Sequence, residues 1–285
     1  MSEKTKGLLF VLFLYTVAFV LGAIPFRMAE QLLWAELWLT LTATGVIYLA
    51  TCVCADTSLY DPYWSVAPPV MLLAAMFRYS CRSTGAVIMF TAVMLWSIRL
   101  TANWVYTFKG MGCEDWRYAG YRRRLDPARF ALLNFFGFQL MPTLVTYAGT
   151  VGAFYVLQSE GFSALMLIGT AIMVGGTLLE LTADAAVHRF LKQEPDRRMT
   201  CRISVWKYSR HPNYLGEILF WIGIFLSYVV LYPAQWYRGL GFVPILGVFL
   251  FASIPMMEKH NSERREDYAE YKNVTSPLLL LPHRQ

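Results

Sequence analysis

The sequence predicts an all-α polytopic membrane bundle of about seven to eight transmembrane helices, and three observations predict it. Of its 285 residues, 56% are hydrophobic and only 15% charged, against the roughly 25% of an ordinary soluble domain. Several apolar runs reach the roughly 20 residues that a helix needs to cross a bilayer. Lys and Arg gather on alternate connections, the asymmetry that the positive-inside rule describes.

The run from Gly7 to Ile24 follows a basic start. It is too long for the core of a signal peptide and lacks a small-residue cleavage site, so it reads as a first span at about 7–27. Further spans read at about 32–54, 66–79, 84–106, 131–157, 162–187, 214–231 and 239–257. The third is short and opens on Pro68-Pro69, which fits a half-span or a re-entrant segment. No internal repeat or low-complexity tract interrupts the pattern. With eight spans, one side of the membrane receives the N-terminus and segments 55–65, 107–130, 188–213 and 258–285. Those segments hold 20 of the 25 Lys and Arg residues, which places both termini in the cytoplasm. Only Arg27, Arg78, Arg82 and Arg238 fall on the other side, and Arg99 lies within a span. The net charge of +6 is accounted for by these loops and calls for no nucleic-acid partner. The expected partners are the bilayer itself and a lipophilic small molecule. The five Cys (Cys52, Cys54, Cys81, Cys113, Cys201) are odd in number and scattered, so they form neither a disulfide framework nor a metal set.

Polar chemistry concentrates in Lys207-Tyr208-Ser209-Arg210-His211-Pro212-Asn213-Tyr214-Leu215-Gly216-Glu217. Pro212 suits the first position of a helix, where its missing N–H costs nothing. The N–H groups that follow then form an anion site reinforced by Arg210. The same stretch also reads as a membrane-boundary cap with Tyr208 and Tyr214 as interfacial anchors. In the preceding span Glu180, Asp184 and His188 recur every four residues and share a helical face. Two carboxylates at membrane depth need a cavity or a partner. No second Glu/His motif completes a metal site. The basic loop 189–210, with Arg197, Arg198 and Arg202 among its cations, suits either lipid headgroups or phosphates. The last segment, Glu258 to Lys272, carries Asn261 on a charged helix, and its Tyr268 and Tyr271 argue for a packed surface. Asp61 stands at an Asp-Pro turn that re-enters the membrane. Arg99, alone in mid-span, needs a carboxylate or a ligand beside it.

Taken together, the Tyr208–Glu217 stretch, the Glu180/Asp184 helix and the Glu258–Lys272 segment resemble the steroid 5-alpha-reductase-like superfamily. The branch nearest in pattern is the uncharacterised one that reads Tyr-Ser-Arg-His-Pro-Asn-Tyr-Xaa-Gly-Glu. The resemblance covers residues 55–285, which makes 1–54 a pair of added N-terminal membrane helices. It implies an NADPH-dependent reductase of a conjugated C=C bond in a sterol-like or polyprenoid substrate. Asn213, Glu217 and Asp184 fall on cofactor-contacting positions. Glu180 stands where the family has Asn, and Arg198 and Arg202 are placed for the adenosine phosphates. His188, Tyr208, Arg210, His211, Tyr214, Glu258, Asn261, Tyr268 and Lys272 complete the expected cofactor surroundings. Asp61 falls on the position of the family's carbonyl-polarising Glu, whereas Trp96 replaces the matching Tyr. Tyr63, two residues beyond Asp61, and Tyr106, at the cytoplasmic end of the span that carries Arg99, are candidate substitutes. The related isoprenylcysteine carboxyl methyltransferases share Arg-His-Pro-Xaa-Tyr-Xaa-Gly, so S-adenosylmethionine is the alternative cofactor. A lipid-binding protein that keeps the fold without the chemistry is a third reading. The expected location is the endoplasmic reticulum in a eukaryote or the inner membrane in a bacterium.

Overall fold

Helix α1 (Glu3–Met28) starts on a Ser2 cap, whose hydroxyl accepts the Thr5 N–H at 3.1 Å, and carries Arg27 in its last turn. Glu3 in the first turn and Arg27 in the last both suit the helix dipole. The computed structural model describes residues 1–194 and 198–282. Helix α2 (Leu32–Val53) returns alongside α1. Their crossing is close, because a Cβ on Gly22 would stand 2.6 Å from the Leu39 carbonyl oxygen. The buried face of α2 repeats at helical spacing as Ala35, Leu39, Ala43 and Ile47, all 2% exposed or less.

After α2 a 3₁₀ turn, Thr57–Tyr60, is capped by Asp56, whose carboxylate accepts the Ser58 N–H at 3.1 Å. Helix α3 (Tyr63–Tyr79) follows and ends on Ser80 in the left-handed conformation. Its 17 residues span about 25 Å, less than the roughly 30 Å of a hydrocarbon core. Pro68 and Pro69 lie inside this helix and not at its start, so the short third span expected at 66–79 begins three residues earlier. Helix α4 (Thr84–Thr107) is capped by Ser83. Two short helices, α5 (Trp116–Arg124) and α6 (Pro127–Leu132), begin on Asp115 and Asp126, each accepting a first-turn N–H at 3.0 Å. Helix α6 runs through a π-helical stretch, Leu133–Leu140, into α7 (Met141–Gln158). The π turn directs Asn134 and Gln139 inward, where both amides donate to Thr51 Oγ1, at 3.2 and 2.9 Å.

These elements form one compact unit, Met1–Gly161, and residues Phe162–Gln285 form a second. The second is built on α8 (Met166–Gln193) and α9 (Pro212–Leu231). Glycines at matched seven-residue spacing, Gly169 and Gly176 on α8 and Gly223 and Gly216 on α9, let the two backbones touch. A Cβ on Gly216 would lie 2.6 Å from the Gly176 carbonyl oxygen. Past α9 the chain forms α10 (Phe242–Val248), a π-helical stretch Phe249–Ser253, α11 (Ile254–Arg264) and α12 (Tyr268–Val274).

Among the described residues, seven helical stretches are long and apolar enough to cross a membrane: α1, α2, α4, Pro127–Gln158, α8, α9 and Pro233–Arg264. The described chain contains no strand, only one isolated bridge between Ser209 and Ser276. The protein is an all-α, multi-pass integral membrane protein. All five cysteines are free thiols.

Candidate functional site

The start of α9 is held by the segment that ends the described chain. Arg210 N–H donates to the Ser276 carbonyl at 2.8 Å, and Leu281 N–H donates to the Tyr208 carbonyl at 3.2 Å. Ser209 Oγ donates to the Leu278 carbonyl at 2.7 Å. The Arg210 guanidinium is buried. It donates to Glu258 Oε1 at 2.6 Å and to the carbonyls of Lys272 and Thr275 at 2.6 and 2.9 Å. Glu258 also meets Lys272 Nζ at 3.1 Å, and His211 Nε2 stands 3.4 Å away. One buried carboxylate therefore gathers an Arg, a Lys and a His, and this cluster joins α9, α11 and α12. Tyr271, 1% exposed, donates to the Trp206 carbonyl at 2.6 Å, and Tyr268 packs beside it. Burial raises the pKa of both phenols above the usual tyrosine range. Both rings sit in the packed surface that their pairing predicts.

Proline at the first position lets α9 begin sharply, with His211 as the residue before the helix. The His211 ring lies parallel to Tyr214 at 5.2 Å, and Tyr214 leans on Phe249. Asn213 is half-buried on this first turn, whose leading N–H groups have no partner inside the helix. One turn on, buried Glu217 accepts the Trp221 indole N–H at 3.0 Å. The close glycine contact brings Glu180, 2% exposed, against this turn, with its Cγ 2.5 Å from where a Gly216 Cβ would be. Asp184 and His188 continue the same face of α8 and are half-buried. Trp206 Nε1 donates to the Ala183 carbonyl at 2.9 Å and ties the basic loop to that helix.

The basic loop is matched by acids. Arg198 pairs with Glu266 at 3.1 Å, with both side chains about two-thirds exposed. Arg202 pairs with Asp267 at 3.1 Å and Glu270 at 3.2 Å, and lies over the Tyr271 ring. Hydrogen bonding to Glu270 raises the Arg202 pKa further. Arg197 lies outside the described residues. Tyr208 is exposed, and Asn261 is half-buried one turn beyond Glu258.

In the unit Met1–Gly161, Asp61 is mostly buried and accepts the Tyr118 hydroxyl at 2.7 Å, with Arg117 3.8 Å away. Burial pushes its carboxyl up to about 6, against the opposing pull of Arg117 and Tyr118. Tyr63 is fully buried and bonded to Thr40 at 2.6 Å. Arg99 is 9% exposed on α4, whereas Tyr106 is 56% exposed at its end and its carbonyl accepts Lys4 Nζ at 3.0 Å. Trp96 is completely buried. Sequence reasoning passed over Tyr118 and Arg117 altogether. It also missed the clamp in which Glu114 accepts Arg122 at 2.6 and 2.9 Å and the Thr57 N–H at 2.9 Å. The available signal was the dense alternation of acids, bases and rings from Glu114 to Arg124.

A protein family described as "Protein of unknown function (DUF1295)" matches residues 47–275. The chain belongs to this family. Two similar proteins give the DUF1295 chain a wider setting. An uncharacterized protein of Schizosaccharomyces pombe is 26% identical over 249 residues, covering 76% of this chain and 71% of its own length. The 3-oxo-5-alpha-steroid 4-dehydrogenase 1 of Bos taurus is 24% identical over 152 residues, covering 51% of this chain. That match spans 56% of the bovine protein. No solved structure matches the chain.

Proposed function

We propose that this protein is a membrane reductase that uses NADPH to saturate a conjugated C=C bond in a lipophilic, sterol-like or polyprenoid substrate. The observation that carries the reading is the polar surround at the start of α9. There a buried Arg–Glu–Lys cluster fixes the helix start, beside Asn213, Glu217 and the Glu180 face of α8. The similarity to the bovine steroid dehydrogenase supports the same class of reaction.

The residues present fit an anionic dinucleotide. The first turn of α9 offers backbone N–H groups. Arg198 and Arg202 hold exposed carboxylates, an arrangement in which phosphates can take the carboxylates' place. His211 Nε2, 3.4 Å from Glu258, helps to fix this helix start. NADPH supplies hydride when bound. Arg210 acts as a positioning residue, because its Nε and Nη1 donors are spent on Glu258 and on the carbonyls of Lys272 and Thr275. Asp61 is the group proposed to stabilise the developing enolate. Its raised carboxyl pKa lets it present a proton near neutral pH. The distribution of Lys and Arg supports cytoplasmic access for the nucleotide.

The test is thermal unfolding of the detergent-purified protein with NADPH, NADH or S-adenosylmethionine. NADPH at 100 times its Kd should stabilise the fold by about 2.7 kcal/mol, and Asn213→Ala should abolish the shift. Stabilisation by S-adenosylmethionine alone would replace the reductase with a methyltransferase. No shift with any nucleotide would leave a lipid-binding protein.

A further inference from the structure

A groove of about 940 Å³ lies between α3 and α4 in the unit Met1–Gly161. That volume is at the upper end of the roughly 300–1,000 Å³ in which proteins hold small ligands. Its walls are apolar, built from Val66, Pro69 and Val70 of α3 and Met94, Ile98 and Ala102 of α4. The Thr101 hydroxyl, also in the wall, is paired with Ser65 Oγ at 2.8 Å. One side of the groove is open, where Ile98 is 57% exposed, and in a bilayer such an opening meets acyl chains. Asp61 is not among the residues that line it, so the groove is separate from the acid of the proposed reaction.

Depth and charge together define an occupant. Met94 stands at the middle of α4, and every residue that α4 gives to the groove except Phe90 lies between Met94 and Tyr106. Over that stretch the helix rises about 18 Å, close to the roughly 15 Å of hydrocarbon in one leaflet. The groove is therefore about one leaflet deep. Its end at Tyr106 is positive. Lys4 lies half-buried in the wall there, and its Nζ donates to the Tyr106 carbonyl at 3.0 Å. That bond uses one of the three donors of an ammonium. Glu3, the adjacent acid in the chain, is turned to Lys6 instead, at 2.6 Å. Gly110 packs on the start of α1, where a Cβ would lie 3.7 Å from the Lys4 backbone nitrogen, and so brings exposed Lys109 to the same end. The distribution of Lys and Arg assigns that end to the cytoplasm, the side on which membranes carry anionic lipid.

We propose that the groove is a binding site for an anionic phospholipid, with one acyl chain between α3 and α4 and its phosphate on the Lys4 ammonium beside Lys109. The phosphate takes up the Lys4 donors that the Tyr106 carbonyl leaves over. The chain fills the recess that small Ser97 and Ala102 leave in the surface of α4. Bound in this way, the lipid joins the start of α1 to the end of α4.

The test uses the full chain, delipidated in detergent, with bound lipid counted by native mass spectrometry. Phosphatidylglycerol should bind about tenfold more tightly than phosphatidylcholine with the same chains. Lys4→Met should remove most of that preference, and Lys4→Arg, which keeps the charge, should retain it. Ala102→Trp, at an exposed position where the ring can lie in the groove, should weaken the binding of both lipids. A neutral sterol in excess should leave phosphatidylglycerol in place. Equal affinity for the two phospholipids, a preference that survives Lys4→Met, or displacement by the sterol would overturn the proposal.

Discussion

Replacing Asp61 with Asn removes a charge that the fold disfavours, and the structure sets both the sign and the size of the effect. Burial lifts the Asp61 carboxyl to about 6 although Arg117 and Tyr118 act to lower it. In the unfolded chain an aspartate titrates near 3.9. Between those two values the folded protein binds a proton that the unfolded chain has released, so this group's contribution to stability falls as pH rises through that window. At about 1.36 kcal/mol per pH unit of difference, ionised Asp61 costs the fold about 3 kcal/mol at pH 7. Asn escapes that cost but is a weaker acceptor for Tyr118, a loss of about 1 kcal/mol. Asp61→Asn should therefore be more stable than wild type by about 2 kcal/mol at pH 7. Near pH 4 the advantage should vanish. The assay is urea unfolding in mild detergent across pH 4 to 7, read as the difference between the two proteins, which cancels the other titrating groups. A variant less stable than wild type at pH 7, with the gap widening as pH rises, would show that pairing with Arg117 outweighs burial and would refute the reasoning.

Other outcomes follow from the packing of the second unit. Glu258→Gln leaves Arg210 buried without a counter-charge and should cost about 3–5 kcal/mol, seen as a lowered Tm, while Glu258→Asp should recover part of the loss. Gly216→Ala inserts a methyl against the Gly176 carbonyl and Glu180. It should destabilise the protein by about 1–3 kcal/mol, whereas the same change at Gly175, which has open space around its Cβ position, should be close to neutral in the same melting assay.

Much of this architecture was legible in the sequence because hydrophobic runs of membrane length leave few alternatives. The sharp start of α9 followed from Pro212, whereas Pro68-Pro69, expected to open the third helix, fall inside it. The packing of Tyr268 and Tyr271 followed from two rings one turn apart on a charged helix. What escaped depends on partners distant in the chain. Tyr118 reaches Asp61 across 57 residues, and no local pattern marks one tyrosine of the 17 as its donor. Glu36 sits among Trp, Leu and Ala at the start of an apolar run, so hydropathy averages it away. Only the neighbouring helices show that it is enclosed. The π-helical turn at Leu133–Leu140 was also invisible, because its cause is the inward demand of Asn134 and Gln139 for Thr51, contributed by a helix more than 80 residues earlier.

The latch between Tyr208–Arg210 and Ser276–Leu281 has a consequence for biosynthesis. A ribosome releases the Arg-His-Pro stretch well before it makes the strip that closes over it, so α9 enters the bilayer with its buried arginine still unanswered. The second unit can then mature only after synthesis has passed Leu281, and nascent chains arrested before that point should stay open to protease at the basic loop.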